Sequence, residues 1–230
     1  MQLFYDPDFS DQHLFLSFEE SHHCVKVLRK KPGDEIFVTD GNGATYTAEI
    51  GTANPNKCEL RILEKKVEPS PSGYFHLAIA PTKNMDRMEW LVEKCTEIGL
   101  QELSFFYTQN SERSKFKTDR IKKKAVAAMK QSLSAYLPKI NEPVKFEQII
   151  SIPSEQKLVA HFSTDNQELK NVLIPSRSCL ILVGPEGDFT TEEISQAIKS
   201  GFQPVNLGNN RLRTETAGLV ACHTYALAHQ

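Results

Sequence analysis

The spacing of hydrophobic and polar residues changes after residue 67 of the chain. Before that point apolar positions alternate with polar ones, as in "KCELRILEKKV" at 57–67, which is typical of half-buried β-strands. The segment "TDGNGAT" at 39–45 contains Asp-Gly and Asn-Gly pairs, which favour a tight hairpin between two strands. The sequence therefore predicts a small β-rich domain over residues 1–70.

The segment "EPSPSGY" at 68–74 has the composition of a linker, and the pattern after it is different. "FHLAIA", "KLVAHF" and "CLILVG" are continuous apolar runs, as expected of parallel strands buried on both faces. Between them lie helical patterns, including "MDRMEWLVEKCTEIG", a basic helix over 118–135, a helix capped by "TTEE" and a last helix over 214–228. Alternating strands and helices predict an open, mostly parallel α/β sheet over residues 74–230.

Composition narrows the class of protein. The chain has 230 residues, of which 40% are hydrophobic and 24% charged, as in a soluble globular protein. No apolar run approaches the roughly 20 residues of a membrane span, and the first residues lack the layout of a signal peptide. The five cysteines are far apart and form no CxxC pair. We therefore expect a cytoplasmic protein with reduced thiols, no membrane association and no metal site.

Charge is distributed unevenly along the chain. The net charge is −2, yet the segment 113–130 carries eight basic residues and one acidic residue. Such a segment is expected either on a surface that binds a polyanion or on a solvated helix face. The sequence alone leaves both interpretations open.

Two unusual loops follow predicted strands in the last third of the chain. "GPEGDF" at 184–189 and "LGNNRLRTETA" at 207–217 each contain glycine, which allows the backbone to approach a ligand closely. Ligands of open α/β sheets bind beyond the carboxyl ends of the strands. Neither loop matches a phosphate-binding motif, and Glu186 and Asp188 would repel a phosphate. The loops favour a cofactor with positive charge or ribose hydroxyls; the alternative is two well-formed turns with acidic residues at helix starts.

Together, "GPEG" and "LRTETA" resemble the ribosomal RNA small subunit methyltransferase E family. These proteins are 16S rRNA uridine-N3 methyltransferases of the SPOUT superfamily. "HCVKVLR" and "KPGDEIFVTDGNGATYTAEI" are similar to the family's PUA-like RNA-binding domain. "DRMEWLVEKCTEIG", "SERS" at 111–114 and "KQS" at 130–132 are similar to its central motifs, so the resemblance covers nearly the whole chain.

The resemblance implies a fold, a cofactor and an assembly. The expected fold is a SPOUT-type, mostly parallel α/β sheet with a deep C-terminal trefoil knot, preceded by a small PUA-like β-barrel. S-adenosylmethionine would bind in the knot, at a pocket completed by a homodimer. The matching cofactor-binding positions are Gly184, Pro185, Glu186, Gly187, Leu207, Gly208, Leu212, Arg213 and Thr216.

Two catalytic candidates are chosen only for their location beside the proposed cofactor loop. Beside the second loop, Arg213 is a candidate to stabilise charge that develops on the uridine, and Glu215 is a candidate base or orienter. Glu215 could equally be an ordinary acidic residue in the first turn of a helix. The 16S rRNA of the small subunit would contact basic and polar residues from both domains: Arg29, Lys30, Lys83, Arg113, Lys122, Lys123 and Gln131.

The sequence departs from the family pattern at two places. Asp188 stands where a second glycine is more usual, and "LSAYLP" at 133–138 lacks an arginine that is common before the proline. Two other functions stay open: a catalytically silent RNA-binding protein of ribosome assembly, and a SPOUT methyltransferase with another RNA target. A nucleotide-hydrolysing protein is disfavoured because the chain has no phosphate loop.

Overall fold

A computed structural model describes residues 2–111 and 116–229, which form two compact units. The first unit consists of residues 1–70 and 126–137, and the second consists of residues 71–125 and 138–230. Within the described ranges no helix is long and apolar enough to cross a bilayer. The boundary predicted between residues 70 and 74 stays a prediction.

The first unit is built on a four-stranded sheet in the order β1-β2-β3-β4. Strands β1 and β2 are parallel, and the other two pairs are antiparallel. No ladder joins β1 to β4 among the described residues, so closure of the predicted barrel stays a prediction. The elements are β1 (Leu3–Tyr5), α1 (Phe18–His22), a π-helical turn (His23–Val27), β2 (Glu35–Thr39), β3 (Ala44–Thr52) and β4 (Glu59–Val67).

The predicted hairpin lies between β2 and β3. Its Asp40 carboxylate accepts hydrogen bonds from the backbone N–H groups of Asn42 (2.7 Å) and Ala44 (3.1 Å). Gly43 has φ 103°, and a Cβ there would lie 2.5 Å from the Tyr136 hydroxyl oxygen. This position therefore requires glycine both for its conformation and for the close approach of the tyrosine.

The segment 126–137 completes the first unit. The Ala135 carbonyl accepts hydrogen bonds from the Gly43 N–H (3.0 Å) and the Thr39 hydroxyl (3.3 Å), and the Leu137 N–H donates to the Gly41 carbonyl (2.8 Å). These bonds satisfy backbone groups of the hairpin that would otherwise lack partners.

The second unit contains an eight-stranded sheet in which every pair of neighbours is parallel. The order is β10-β12-β9-β11-β5-β6-β7, with β8 also paired to β6, which confirms the predicted α/β class. The elements are β5 (Phe75–Ile79), α2 (Met85–Ile98), β6 (Glu102–Tyr107), α3 (Asp119–Ser132), β7 (Lys139–Ile140), β8 (Val144–Lys145), α4 (Phe146–Ile150), β9 (Gln156–Ala160), β10 (Gln167–Glu168), α5 (Leu169–Val172), β11 (Cys179–Val183), α6 (Thr191–Lys199), β12 (Gln203–Asn206) and α7 (Thr214–Ala228). Helix α3 runs across the division between the units, since its residues from 126 onward belong to the first.

Helix α7 packs closely against α2 and β5. The contact depends on Gly218, where an added Cβ would lie 3.0 Å from the Ile79 Cδ1 atom and 3.1 Å from the Leu91 Cδ1 atom. All residues of β5 and β11 are buried, as their continuous apolar sequences predict. The centre of the sheet therefore forms a rigid base for the loops that leave it.

A buried polar network joins β5 and β6 to the segment after β7. The His76 Nε2 atom lies 2.7 Å from the Ser104 hydroxyl oxygen, and His76 Nδ1 lies 3.9 Å from a Glu102 carboxylate oxygen. Asn141 donates hydrogen bonds to both Glu102 (2.6 Å) and Ser104 (2.8 Å). Burial lowers the pKa of His76 and the Lys139 charge adds to this, while Glu102 opposes the shift.

We expect this histidine to make the protein less stable in mild acid. Its pKa is lower in the folded state, so the unfolded chain takes up the proton first as the pH falls through about 6.5. The free energy of unfolding should therefore decrease below that pH, and His76→Gln should remove part of the decrease. Thermal melts across this pH range test this, with the exposed His223→Gln as control. Equal pH dependence of His76→Gln and wild type would contradict the expectation.

Candidate cofactor site

Three adjacent strands end together at one edge of the sheet in the second unit. In the order β12-β9-β11, Val205 pairs with Ala160, and Ala160 pairs with Val183. The loops that follow these strands begin at His161, Gly184 and Leu207. They surround a cavity with a volume of about 280 Å³. Both predicted loops therefore meet at one site, at the edge where open α/β sheets bind ligands.

The first loop is a tight turn that ends in an aspartate of left-handed conformation. The Asp188 N–H donates to the Pro185 carbonyl (3.0 Å), and Asp188 has φ 61°. Aspartate is one of the few residues besides glycine that tolerate this region. The Asn110 side chain also donates to the carbonyls of Gly187 (3.2 Å) and Asp188 (3.1 Å). Asp188 can thus replace the more usual glycine without changing the turn.

Phe189 anchors this loop to the core. Its ring is parallel to that of Phe106, with 6.1 Å between the ring centroids, and also packs on Phe146. A Cβ on Gly184 would lie 2.9 Å from the Phe189 ring. Glycine is therefore needed at position 184 because the Phe189 ring packs close to its backbone, which is a steric rather than a conformational requirement.

Helix α6 begins directly after this loop with the predicted capping box. The Thr190 hydroxyl accepts from the Glu193 N–H (3.2 Å), and the Glu193 carboxylate accepts from the Thr190 N–H (2.8 Å). Glu193 is buried and its other oxygen accepts from the Gln109 N–H (2.9 Å). The Glu193 carboxylate therefore accepts hydrogen bonds from backbone N–H groups. This is the capping role that the sequence had left open for acidic residues at helix starts.

The second loop carries a glycine and two guanidinium groups into the cavity wall. Gly208 has φ 120°, and an added Cβ would meet no atom within 4 Å, so only the conformation requires glycine. Arg213 is the N-cap residue of α7 and provides no side-chain cap for the helix. Arg211 and Arg213 are exposed and line the cavity. The start of α7 therefore leaves backbone N–H groups available beside two positive charges.

Most of the predicted cofactor-binding residues line the cavity. They are Gly184, Pro185, Glu186, Leu207, Gly208, Leu212 and Arg213. The two other predicted positions, Gly187 and Thr216, are not among the described residues that line the cavity. The third loop contributes His161 and Phe162, which the sequence analysis did not single out. The only signal for them was their place at the end of the apolar run "KLVAHF".

Glu215 faces a different part of the molecule. Glu215 is not among the described residues that line the cavity. Its carboxylate is buried, and Oε1 lies 3.6 Å from Arg87 Nε in α2. Its second oxygen, Oε2, is also buried and has no hydrogen-bond partner in the described chain. The Glu215 side chain therefore links α7 to α2 in this structure.

The basic segment carries less free charge than its sequence suggests. Ion pairs join Arg120 to Glu89, Lys122 to Glu142, Lys124 to Glu93 and Lys130 to Glu20. Lys123, by contrast, is exposed and has no ion pair with any residue that the structure describes. Arg113 lies outside the described residues. The observed helix, Asp119–Ser132, is shorter than the predicted 118–135 and ends before Leu133, which has φ 58°.

The other predicted RNA-binding residues are spread over both units. Arg29 is exposed with φ 56°, and the Lys30 ammonium donates to the Glu35 carbonyl (3.3 Å). Lys83 and Gln131 are exposed.

Within the described ranges, no group of three or more histidine, cysteine, aspartate or glutamate residues is placed to hold a metal ion.

Comparison with known proteins defines the class. Residues 68–226 match the family model described as an RNA methyltransferase domain, and residues 17–63 match the model of an RNA methyltransferase PUA domain. The chain is 32% identical over 220 residues to Ribosomal RNA small subunit methyltransferase E of Mesomycoplasma hyopneumoniae. The matched region covers 90% of this chain and 92% of that protein. The chain belongs to the ribosomal RNA small subunit methyltransferase E family, as its two loops indicated.

Solved structures agree over nearly the whole length. A probable rRNA-methyltransferase from Porphyromonas gingivalis is 38% identical, has a TM-score of 0.90 and covers 99% of both chains. Ribosomal RNA small subunit methyltransferase E from Neisseria gonorrhoeae, solved bound to S-adenosyl methionine, is 28% identical with a TM-score of 0.86 and covers 96% of this chain and 95% of that one.

Proposed function

We propose that this protein transfers a methyl group from S-adenosylmethionine to N3 of one uridine in the 16S rRNA of the small ribosomal subunit. Membership of the family supports S-adenosylmethionine-dependent methylation of ribosomal RNA. The observation that carries the proposal for this chain is the cavity at the carboxyl edge of β9, β11 and β12, which both family loops line.

The residues of the cavity suit this cofactor. Val183, Leu207 and Leu212 provide apolar surface for a flat ring, while Glu186 and Asp188 place carboxylates in the same wall. S-adenosylmethionine combines an adenine ring with a positively charged sulfonium, so an apolar wall with nearby acids is complementary to it. When bound, the cofactor supplies an electrophilic methyl group.

Side chains of this protein would then act on the uridine. N3 of uridine carries a proton and becomes a good nucleophile only as that proton leaves, so negative charge develops on the base. Arg213, which lines the cavity, would stabilise that charge. Of the two roles considered for Glu215, we favour that of an orienter, because its carboxylate faces Arg87 and holds the start of α7.

Several further features belong to the same proposal. We infer a homodimer that completes the cofactor pocket, a trefoil knot through the second unit and a location in the cytoplasm, each from the family resemblance. Gly187 and Thr216 would contact the cofactor in the closed, dimeric site. Arg29, Lys30, Lys83, Arg113, Lys122, Lys123 and Gln131 would contact the 16S rRNA.

The proposed function is tested by methylation of small ribosomal subunits that lack the modification. Purified protein and S-adenosylmethionine should produce N3-methyluridine, detected by mass spectrometry of the digested nucleosides. A different methylated nucleoside would favour another RNA target. Saturable binding to subunits without cofactor binding or product would favour a silent assembly protein.

We expect Lys123 to contribute more to RNA affinity than its neighbour Lys124. Lys123 is exposed without an ion pair among the described residues, whereas the Lys124 ammonium lies 2.9 Å from a Glu93 carboxylate oxygen. Lys123→Ala should weaken subunit binding and reduce the slope of log affinity against log salt by about one. Lys124→Ala is the matched control and should change both less. An unchanged slope in Lys123→Ala would contradict a phosphate contact.

A further inference from the structure

The cavity contains a histidine–aspartate pair formed across two loops. His161 Nδ1 lies 3.6 Å from Asp188 Oδ2, and both residues line the cavity wall. His161 directly follows β9, whereas Asp188 belongs to the turn after β11. The pair therefore exists only because these two strands are neighbours in the sheet.

Backbone hydrogen bonds fix both members of the pair. The His161 N–H donates to the Val205 carbonyl (3.1 Å), and the His161 carbonyl accepts from the Asn166 side chain (2.6 Å). Asp188 is held by its own turn, and its Oδ1 atom accepts from the Phe189 N–H (2.7 Å). The second carboxylate oxygen, Oδ2, is the one directed to the histidine.

The environment of the imidazole distinguishes its two nitrogens. Nδ1 is buried and has no hydrogen-bond partner in the described chain, and a buried N–H without a partner is costly. A small side-chain rotation would close the 3.6 Å gap to Asp188 and satisfy this atom. An aspartate beside Nδ1 favours the tautomer with the proton there, which leaves the Nε2 lone pair as an acceptor.

We propose that His161, positioned by Asp188, accepts the N3 proton of the target uridine. This inference rests on the proposed function. The proton moves from N3 to His161 Nε2, and the imidazolium formed is stabilised by the Asp188 carboxylate. The N3 electron pair forms a bond to the methyl carbon while the carbon–sulfur bond breaks. The electron pair of the broken bond stays on sulfur, which gives the neutral thioether S-adenosylhomocysteine. The imidazolium afterwards releases its proton to solvent.

The other acceptors at the site are less suitable. The Glu215 carboxylate faces Arg87 and does not line the described cavity, and Glu186 is an exposed carboxylate. Histidine is the side chain that most often acts as a general base, and the Asp188 carboxylate can stabilise the imidazolium that forms. The charged side chains that share the cavity wall with His161 are Glu186, Asp188, Arg211 and Arg213.

Asp188 acts here as a positioning residue that provides more than the turn. Glycine, the more usual residue at this place in the family, would supply the same left-handed conformation without the carboxylate. Asp188→Gly therefore removes the partner of His161 while preserving the backbone that φ 61° requires. The variant separates the role of the side chain from that of the turn.

The test combines cofactor affinity with single-turnover methylation of small subunits across pH. His161→Gln should bind S-adenosylmethionine with nearly the wild-type Kd, measured by calorimetry, but methylate about 10²–10⁴-fold more slowly. Asp188→Gly should lower the rate less and shift the acidic limb of its pH profile. His161→Asn provides a second variant if the glutamine variant melts at a lower temperature.

Two outcomes would overturn the inference. A wild-type methylation rate in both His161 variants would remove the proton-transfer role. A loss confined to cofactor affinity, with an unchanged rate at saturating cofactor, would make His161 a cofactor contact instead. A wild-type protein that forms no N3-methyluridine would refute the proposed function itself, which keeps the two failures distinguishable.

Discussion

Arg213→Ala should reduce methylation of small subunits by about 10²–10³-fold at saturating cofactor, in addition to any loss of cofactor affinity. Arg213 lines the cavity and is the N-cap residue of α7, and its positive charge would stabilise the anion that develops on the uridine. Its side chain provides no helix cap and is exposed, so its removal should hardly change the melting temperature. Single-turnover rates and calorimetric titration with S-adenosylmethionine measure the two effects separately.

Arg211 provides the matched control for this prediction. It is exposed, lines the same cavity and belongs to the same loop, two positions earlier. Arg211→Ala removes an identical charge, so a much smaller loss of rate would show that the position of Arg213 matters and not only the local field. Full turnover by Arg213→Ala would eliminate it as a catalytic residue.

Gly184→Ala should weaken S-adenosylmethionine binding by about 10-fold or more, because overpacking of this kind costs about 1–3 kcal/mol. The added Cβ would lie 2.9 Å from the Phe189 Cε2 atom and 3.0 Å from Cδ2. Phe189 is held by Phe106 and Phe146, so the loop must shift to relieve the contact. Calorimetry measures the affinity, and a thermal melt shows whether the fold persists.

Two further variants make this result specific. Gly51→Ala is the control, since a Cβ there would meet only the Glu59 carbonyl oxygen at 3.7 Å. Adding Phe189→Leu to Gly184→Ala makes room for the methyl group and should restore part of the affinity. Wild-type affinity in Gly184→Ala would mean that the loop tolerates the shift and that the glycine serves another purpose.

The central strands of the fold were predictable because a continuous apolar run has to be buried on both faces, whichever strands it pairs with. "FHLAIA" and "CLILVG" became β5 and β11 at nearly the expected positions. The two-residue strands β7, β8 and β10 are too short to produce a periodic signal, and they depend on neighbours distant in sequence. The residue spacing of the π-helical turn His23–Val27 is close to that of an α-helix, so a hydrophobic pattern does not distinguish the two.

The site was predictable where a local motif defines it. The glycine loops after β11 and β12 were identified from their own residues. His161 was not, because a histidine at the end of an apolar run gives no sign of function until β9 is placed between β11 and β12. The orientation of Glu215 toward Arg87 likewise depends on the packing of α7 on α2, which no local pattern reports.

The first unit is assembled from two separate segments of the chain, residues 1–70 and residues 126–137. Its hairpin receives hydrogen bonds and packing from residues 126–137, which are translated some sixty residues after the hairpin's own unit is otherwise finished. A fragment cut at the linker would expose the Gly43 N–H and the Gly41 carbonyl to solvent and lose the cover of Tyr136. Residues 1–70 alone therefore lack part of the first unit. During synthesis the first unit can reach its final form only after residues 126–137 have left the ribosome, and these lie within the segment that matches the methyltransferase domain.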